Sequence, residues 1–167
     1  MIVLGVDPGT ARCGFGVVAE GEGGGLRLLD YGVIATPAAW PLAERLRGIH
    51  EGLAKLLAHY QPGAVAVEEL FFARNARTAL SVGQARGVAL LAAAQAGAPV
   101  YEYTPRQVKQ AIVGYGSAPK AQVQEMVRLV LGLEHVPEPD DAADAVAIAI
   151  CHLHSARLAE FISQVQG

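Results

Sequence analysis

The sequence predicts an α/β protein built on a mixed five-stranded sheet, three strands antiparallel plus two parallel, with helices on both faces. Three observations carry that expectation. Residues 2–7 are nearly all apolar, as in a strand buried on both faces. Three short strand-like runs succeed one another up to residue 35 with no helical stretch between them, which argues for an antiparallel meander. From residue 41 onward helical periodicity alternates with short apolar runs, so the later strands should be parallel and joined by helical crossovers.

The elements follow in order. The first strand, 2–7, ends in Asp7 and is stopped by Pro8 and Gly9, since proline removes a donor and glycine permits a sharp turn. Residues 14–19 and 26–35 form the second and third strands. The polar, glycine-rich 20–25 between them reads as a flexible hairpin loop. Over 41–60, Leu42, Leu46, Ile49, Leu53, Leu56 and Leu57 recur at spacings of three and four, an amphipathic helix that Gln61-Pro62-Gly63 stops. Residues 64–68 make a fourth strand, again ending in an acid. A loop with Phe71, Phe72 and Arg74 leads into a small-residue helix over 77–96, and 99–104 form the fifth strand. Pro105 occupies a tolerated first-turn position of a helix over 105–113. Further helices span 119–131 and 140 to about 163, the last with Asp140 as N-cap. No repeat or long linker divides the 167 residues, so one domain is expected over 1–167.

Four acids stand out by position. Asp7 and Glu68 end the first and fourth strands. If those strands are neighbours, both acids lie at the carboxyl ends where ligands of such sheets gather. Asp141 and Asp144 share a face at the start of the last helix, although Asp140 with Asp144 satisfies the same spacing nearly as well. Burying a carboxylate without a partner costs on the order of several kcal/mol, and clustered carboxylates raise one another's pKa. A shared cation resolves that conflict. Oxygen ligands suit Mg²⁺ or Mn²⁺ better than zinc, and two such ions can support phosphodiester hydrolysis. Each acid also has a plain structural reading: Asp7 as a turn residue, Glu68 as a surface residue, the helix acids as caps or dipole partners.

Bulk properties narrow the class. The chain is 52% hydrophobic and can bury a core. No apolar run approaches about 18 residues without a charge, so no membrane span is expected. No signal peptide is legible, and Cys13 and Cys151 have no pairing pattern, which together suggest reduced thiols and a cytoplasmic setting. The net charge of −3 is unevenly spread. Residues 72–128 carry Arg74, Arg77, Arg86, Arg106, Lys109, Lys120 and Arg128 against Glu102 and Glu125, compatible with one basic face on an otherwise acidic protein. His152 and His154 lie two apart on a helix, do not face each other, and with His135 read as surface or interface residues rather than a zinc site.

Six stretches come in one order: Gly5-Val6-Asp7-Pro8-Gly9-Thr10, Val67-Glu68-Glu69-Leu70-Phe71, Gly83-Gln84-Ala85-Arg86-Gly87-Val88-Ala89, Tyr103-Thr104-Pro105-Arg106-Gln107-Val108-Lys109, Gly114-Tyr115-Gly116-Ser117-Ala118-Pro119-Lys120 and Asp141-Ala142-Ala143-Asp144-Ala145. Together they closely resemble the RuvC family of bacterial Holliday-junction resolvases, over residues 2 to about 154. The resemblance implies an RNase H-like fold, a homodimer, and Mg²⁺- or Mn²⁺-dependent endonuclease action on four-way DNA junctions in recombination and repair. Two ions per site and partnership with the RuvA–RuvB branch-migration machinery are implied as well. It assigns the catalytic, metal-binding acids to Asp7, Glu68, Asp141 and Asp144, which makes Glu69 and Asp140 neighbours. It also places a base-stacking aromatic at Phe71 and strand-contacting lysines at Lys109 and Lys120. Arg74, Arg77 and Arg86 lie in the same basic segment, as DNA-backbone contacts or as solvated helix residues, and Tyr115 either touches DNA or packs.

Two other readings compete. Asp7-Pro8-Gly9-Thr10 alone fits the first strand of an actin- or sugar-kinase-like ATP-binding domain, but that fold needs a second such domain and a second phosphate loop. A non-catalytic junction-binding protein is disfavoured by the presence of all four acids.

Overall fold

The first strand, β1 (Ile2–Asp7), lies in the middle of the sheet, where its continuous apolar run is covered on both faces. It is flanked by β2 (Arg12–Glu20), antiparallel, and β4 (Ala64–Glu68), parallel. Outside these lie β3 (Leu26–Ala35), antiparallel to β2, and β5 (Val100–Tyr103), parallel to β4, giving the order β3-β2-β1-β4-β5. The helices are α1 (Leu42–Tyr60), α2 (Ala76–Gln95), α3 (Pro105–Val113), α4 (Lys120–Val130) and α5 (Asp140–Gln166). This computed structural model describes residues 1–69 and 76–166, so Phe71, Phe72 and Arg74 lie outside the described residues.

Alternation along the strands builds two cores. Leu4, Val6, Cys13, Val17, Val65 and Val67 face α1 and α2. Val3, Val18, Ala64 and Ala66 face α3, α4 and α5. Leu4, Ile49, Leu53, Ile148 and Leu153 are among the fully buried side chains, each worth about 1.5–3 kcal/mol of burial. The expected mixed sheet with helices on both faces is what forms.

Helix α5 sits unusually close to the sheet. Gly5, Gly14 and Gly16 lie beneath it, and a methyl at any of them would collide with α5 at Ala145, Asp141 or Val146 respectively. By length and composition α5 could cross a membrane from Asp140 to Val165, but half of that stretch is buried. Its apolar residues from Ala142 to Leu153 are spent on the core beneath α5.

The structure corrects several sequence expectations. β2 begins at Arg12 rather than residue 14, because it pairs with β3 to the end, Arg12 opposite Ala35. The 20–25 hairpin holds a 3₁₀ turn at Glu22–Gly24, closed by Gly21 N–H donating to Gly25 O at 2.8 Å. Asp140 does not cap α5: it is already helical, and the free N–H groups of Ala142 and Ala143 donate to Pro139 O at 2.9 and 3.1 Å. His152 is not a surface residue. It is 4% exposed, because α5 turns that position onto β5, where Nδ1 pairs with the Tyr103 hydroxyl at 2.7 Å and the ring lies against Tyr101. α5 also continues to Gln166, beyond the expected end near 163.

Candidate active site

The site is assembled at one end of the sheet. Val6 is in register with Val67, so the residues that follow, Asp7 and Glu68, end adjacent parallel strands side by side. Asp7 alternates with Val3 and Gly5, and Glu68 with Ala64 and Ala66, so both acids point to the α5 face. The glycine-lined approach of α5 then brings its first turn, with Asp141 and Asp144, over the same spot. Residues distant in sequence are thus joined by strand register and by helix-to-sheet packing.

The four acids lie close enough to act on one another's charge. Asp7 is pushed up to about 8, first by burial and then by repulsion from Glu68, Asp144 and Asp141. Burial likewise raises Glu68, with Asp144 adding to it. Asp144 is raised by burial, while Lys120 works the other way.

The helix acids have cationic partners. Lys120 Nζ donates to Asp144 Oδ2 at 3.0 Å and lies 3.3 Å from Asp140 Oδ2. Gln124 Nε2 donates to Asp140 at 3.1 Å, and these hydrogen bonds lower Asp140. Arg12 Nε donates to Asp141 Oδ2 at 2.8 Å. Among the described residues, no three acids, histidines or cysteines stand close enough to form a ready-made metal cage. Asp141 and Asp144 are turned to Arg12 and Lys120 instead, which already supply part of the neutralising charge. The all-oxygen donor set and the raised Asp7, only partly offset by Lys120, fit hard divalent cations that keep some of their waters.

Beside the acids runs a cleft of about 190 Å³, lined by Glu68, Lys109, Lys120 and Asp144 on one side and by apolar residues such as Val123 and Ile148 on the other. Lys109 is placed there by α3, whose start is fixed by a capping box: Thr104 Oγ1 accepts from Gln107 N, and Gln107 Oε1 from Thr104 N. Lys120 therefore contacts Asp144 and Asp140, and Lys109 lines the same cleft. Arg77 lies in the first turn of α2, one turn before Ser81, which is hydrogen-bonded to Thr10 in the turn after Asp7 at 2.6 Å. Arg86 is ion-paired with Glu102, and Arg128 with Glu125. The two acids of the basic segment thus engage two of its seven cations. The Tyr115 hydroxyl donates to Gln122.

Sequence reasoning missed Arg12. It lies outside the basic segment, and no spacing links residue 12 to residue 141. The only available signal was its position five residues after Asp7, at the same end of the sheet.

A mixed sheet with acids ending its two adjacent parallel strands, crossed by a helix bearing two more, defines a nuclease of the RNase H-like fold. The family model for crossover junction endodeoxyribonuclease RuvC matches residues 3–152. A crossover junction endodeoxyribonuclease RuvC from Chloroflexus aggregans is 63% identical over 156 residues, covering 93% of this chain and 94% of the relative. One from Rubrobacter xylanophilus is 59% identical, covering 94% and 87%. The structure of T. thermophilus RuvC in complex with Holliday junction substrate superimposes with a TM-score of 0.91 at 46% identity, covering 95% of this chain and 96% of that one. The chain belongs to the RuvC family of crossover junction endodeoxyribonucleases. That kinship favours neither the kinase-like nor the non-catalytic reading.

Proposed function

We propose that this chain resolves four-way DNA junctions by metal-dependent phosphodiester hydrolysis, with Asp7, Glu68, Asp141 and Asp144 holding two Mg²⁺ or Mn²⁺ ions. The family is one of metal-dependent nucleases. What supports this reading is the convergence of four carboxylates: strand register sets Asp7 beside Glu68, and the close approach of α5 brings Asp141 and Asp144 over them, so that Asp7 is raised to about 8. Bound ions would supply an activated water and charge stabilisation for the leaving oxygen.

The protein's own groups do the rest. The strand ends fix Asp7 and Glu68, and α5 sets Asp141 and Asp144 opposite them. Lys109 and Lys120 line the adjoining cleft, where they neutralise a scissile-strand phosphate. Val123 and Ile148 form its dry wall. Phe71 stacks on an unpaired junction base, a contact worth about 1–3 kcal/mol, and Arg74 and Arg77 hold the flanking backbone. Residues 1–167 act as one nuclease domain. Two copies form a homodimer whose two-fold axis matches the approximate symmetry of the junction, one site per cleaved strand. Products carry 5′-phosphate and 3′-hydroxyl ends, and the RuvA–RuvB complex delivers the junction in the cytoplasm during recombination and repair.

The test compares a synthetic four-way junction with linear duplex of the same sequence, each with Mg²⁺, Mn²⁺ or EDTA. Paired nicks confined to the junction and dependent on the ion are expected. Equal cutting of duplex, or cutting that survives EDTA, overturns the proposal.

A further inference from the structure

We propose that Arg12 is a further DNA-contact residue, held by Asp141 in the metal-free protein and released to a backbone phosphate when that carboxylate turns to a divalent cation. The inference rests on the metal-site reading above and extends it to a residue outside the acidic constellation and the basic segment.

Four observations carry it. Arg12 Nε donates to Asp141 Oδ2 at 2.8 Å, so the guanidinium directly contacts one of the four acids. The pair is open to solvent, at 51% and 35% side-chain exposure. Open pairs are weak and readily exchanged. Next, only Nε of the guanidinium is engaged among the described residues, and its remaining donors form the planar fork that suits phosphate. Lastly, Arg12 lines an open recess with Glu138, Pro139, Asp140 and Asp141, in which it is the one cation beside three acids. A DNA strand leaving the acids on the Lys120 side finds lysines, whereas on this side Arg12 is the cation lining the recess that can receive a phosphate.

A divalent ion on Asp141 weakens the hold on Arg12 in two ways. It takes the carboxylate oxygen that Arg12 uses, and it repels the guanidinium. The two events are then linked: cation binding makes a phosphate contact available on the acidic flank.

The experiment measures junction affinity against NaCl concentration for the wild type, Arg12→Ala and Arg12→Lys, once with Ca²⁺ and once with EDTA. Ca²⁺ serves as the oxygen-seeking divalent probe, and its binding is read independently by calorimetry. Each phosphate contact contributes about 0.9 to the slope of log K on log salt. With Ca²⁺, Arg12→Ala should lose about 0.9 of slope per protomer, and Arg12→Lys should keep most of it, which also shows that the fold is intact. With EDTA, all three slopes should coincide. Equal slopes under both conditions, or the same loss under both, overturn the inference while leaving the metal site standing. Failure of the wild type to bind Ca²⁺ in calorimetry overturns both.

Discussion

The site is made of two unlike halves. The strand half, Asp7 and Glu68, is half-buried, and its carboxylates are raised by burial and by repulsion from neighbouring acids. The helix half, Asp141 and Asp144 with Asp140 beside them, is more open and is paired with Arg12 and Lys120. Rigidity separates them too. The strand acids are fixed by a ladder continuous on both sides of β1, whereas the helix acids depend on how closely α5 lies on three glycines. The difference teaches where the demand for a cation arises. On the proposed reading it arises in the sheet, where neither strand acid has an ion-pair partner among the described residues and Lys120 only partly offsets their charge. The helix acids, paired with an arginine and a lysine, would then be the exchangeable ligands.

If that division holds, the largest effect should come from the strand half. Asp7→Asn should lower junction cleavage by at least about 10²-fold, the scale of one lost preorganised electrostatic contact. Junction binding should persist. In EDTA the same variant should melt no lower than the wild type, because it removes a buried, repelled charge. A lower melting temperature would mean that Asp7 is a structural turn residue after all.

Gly14→Ala probes the geometry that joins the halves. The added methyl would meet the Asp141 carbonyl, and overpacking of this kind costs about 1–3 kcal/mol. Denaturant unfolding should show that loss, accompanied by weaker Mn²⁺ binding, since α5 carries Asp141 and Asp144 away as it yields. Gly25→Ala is the control, because nothing lies within 4 Å of a methyl there. Equal stability of the two variants would break the idea that close approach sets the helix half.

These halves were not equally legible in the sequence. The strand acids could be read directly: an apolar run closed by an acid fixes a strand end, and register between neighbouring parallel strands does the rest. The mixed sheet and the two helical layers followed from the same patterns, while the adjacency of the first and fourth strands entered only as a condition that the structure meets. The helix acids were ambiguous, since Asp140 with Asp144 satisfies the spacing nearly as well as Asp141 with Asp144, and resemblance rather than periodicity separated them. The pairings of Arg12 and His152 were not legible at all. Each joins residues far apart in sequence, Arg12 to Asp141 and Tyr103 to His152, and such a partner is set by packing rather than by any local pattern. The first half of α5 gave a similar difficulty, because a helical stretch buried nearly all round carries no amphipathic signal with which to phase its few polar residues.

On the helix half, Lys120→Ala should change stability by less than about 1 kcal/mol, as expected for an exposed pair. Cleavage should fall more than junction affinity does, because the lysine lies in the cleft beside Asp144 and Glu68. A large loss of stability would place Lys120 with the structural residues and erase the contrast with Asp7.

The smallest effect should come from further along α5, at His152, eight residues after Asp144. Its pKa is lowered by burial. The groups against it are the Tyr103 hydroxyl, which hydrogen-bonds Nδ1, and the Tyr101 ring; neither is charged near neutral pH. The unfolded chain therefore takes up the histidine proton at a higher pH than the folded protein does. The stability that neutral His152 provides is complete above the unfolded value of about 6.5 and is lost as pH falls through the lowered folded value. His152→Gln keeps a hydrogen-bond acceptor for Tyr103 and removes the titration. Unfolding free energies measured from pH 8 to pH 5 should fall less steeply in the variant than in the wild type, while cleavage at pH 8 stays near normal. Parallel slopes would show that protonation at this end of α5 is not felt by the fold. Normal cleavage beside a flattened slope would show that the helix half of the site is set by its glycine contacts near Asp141, not by the buried histidine about three turns away.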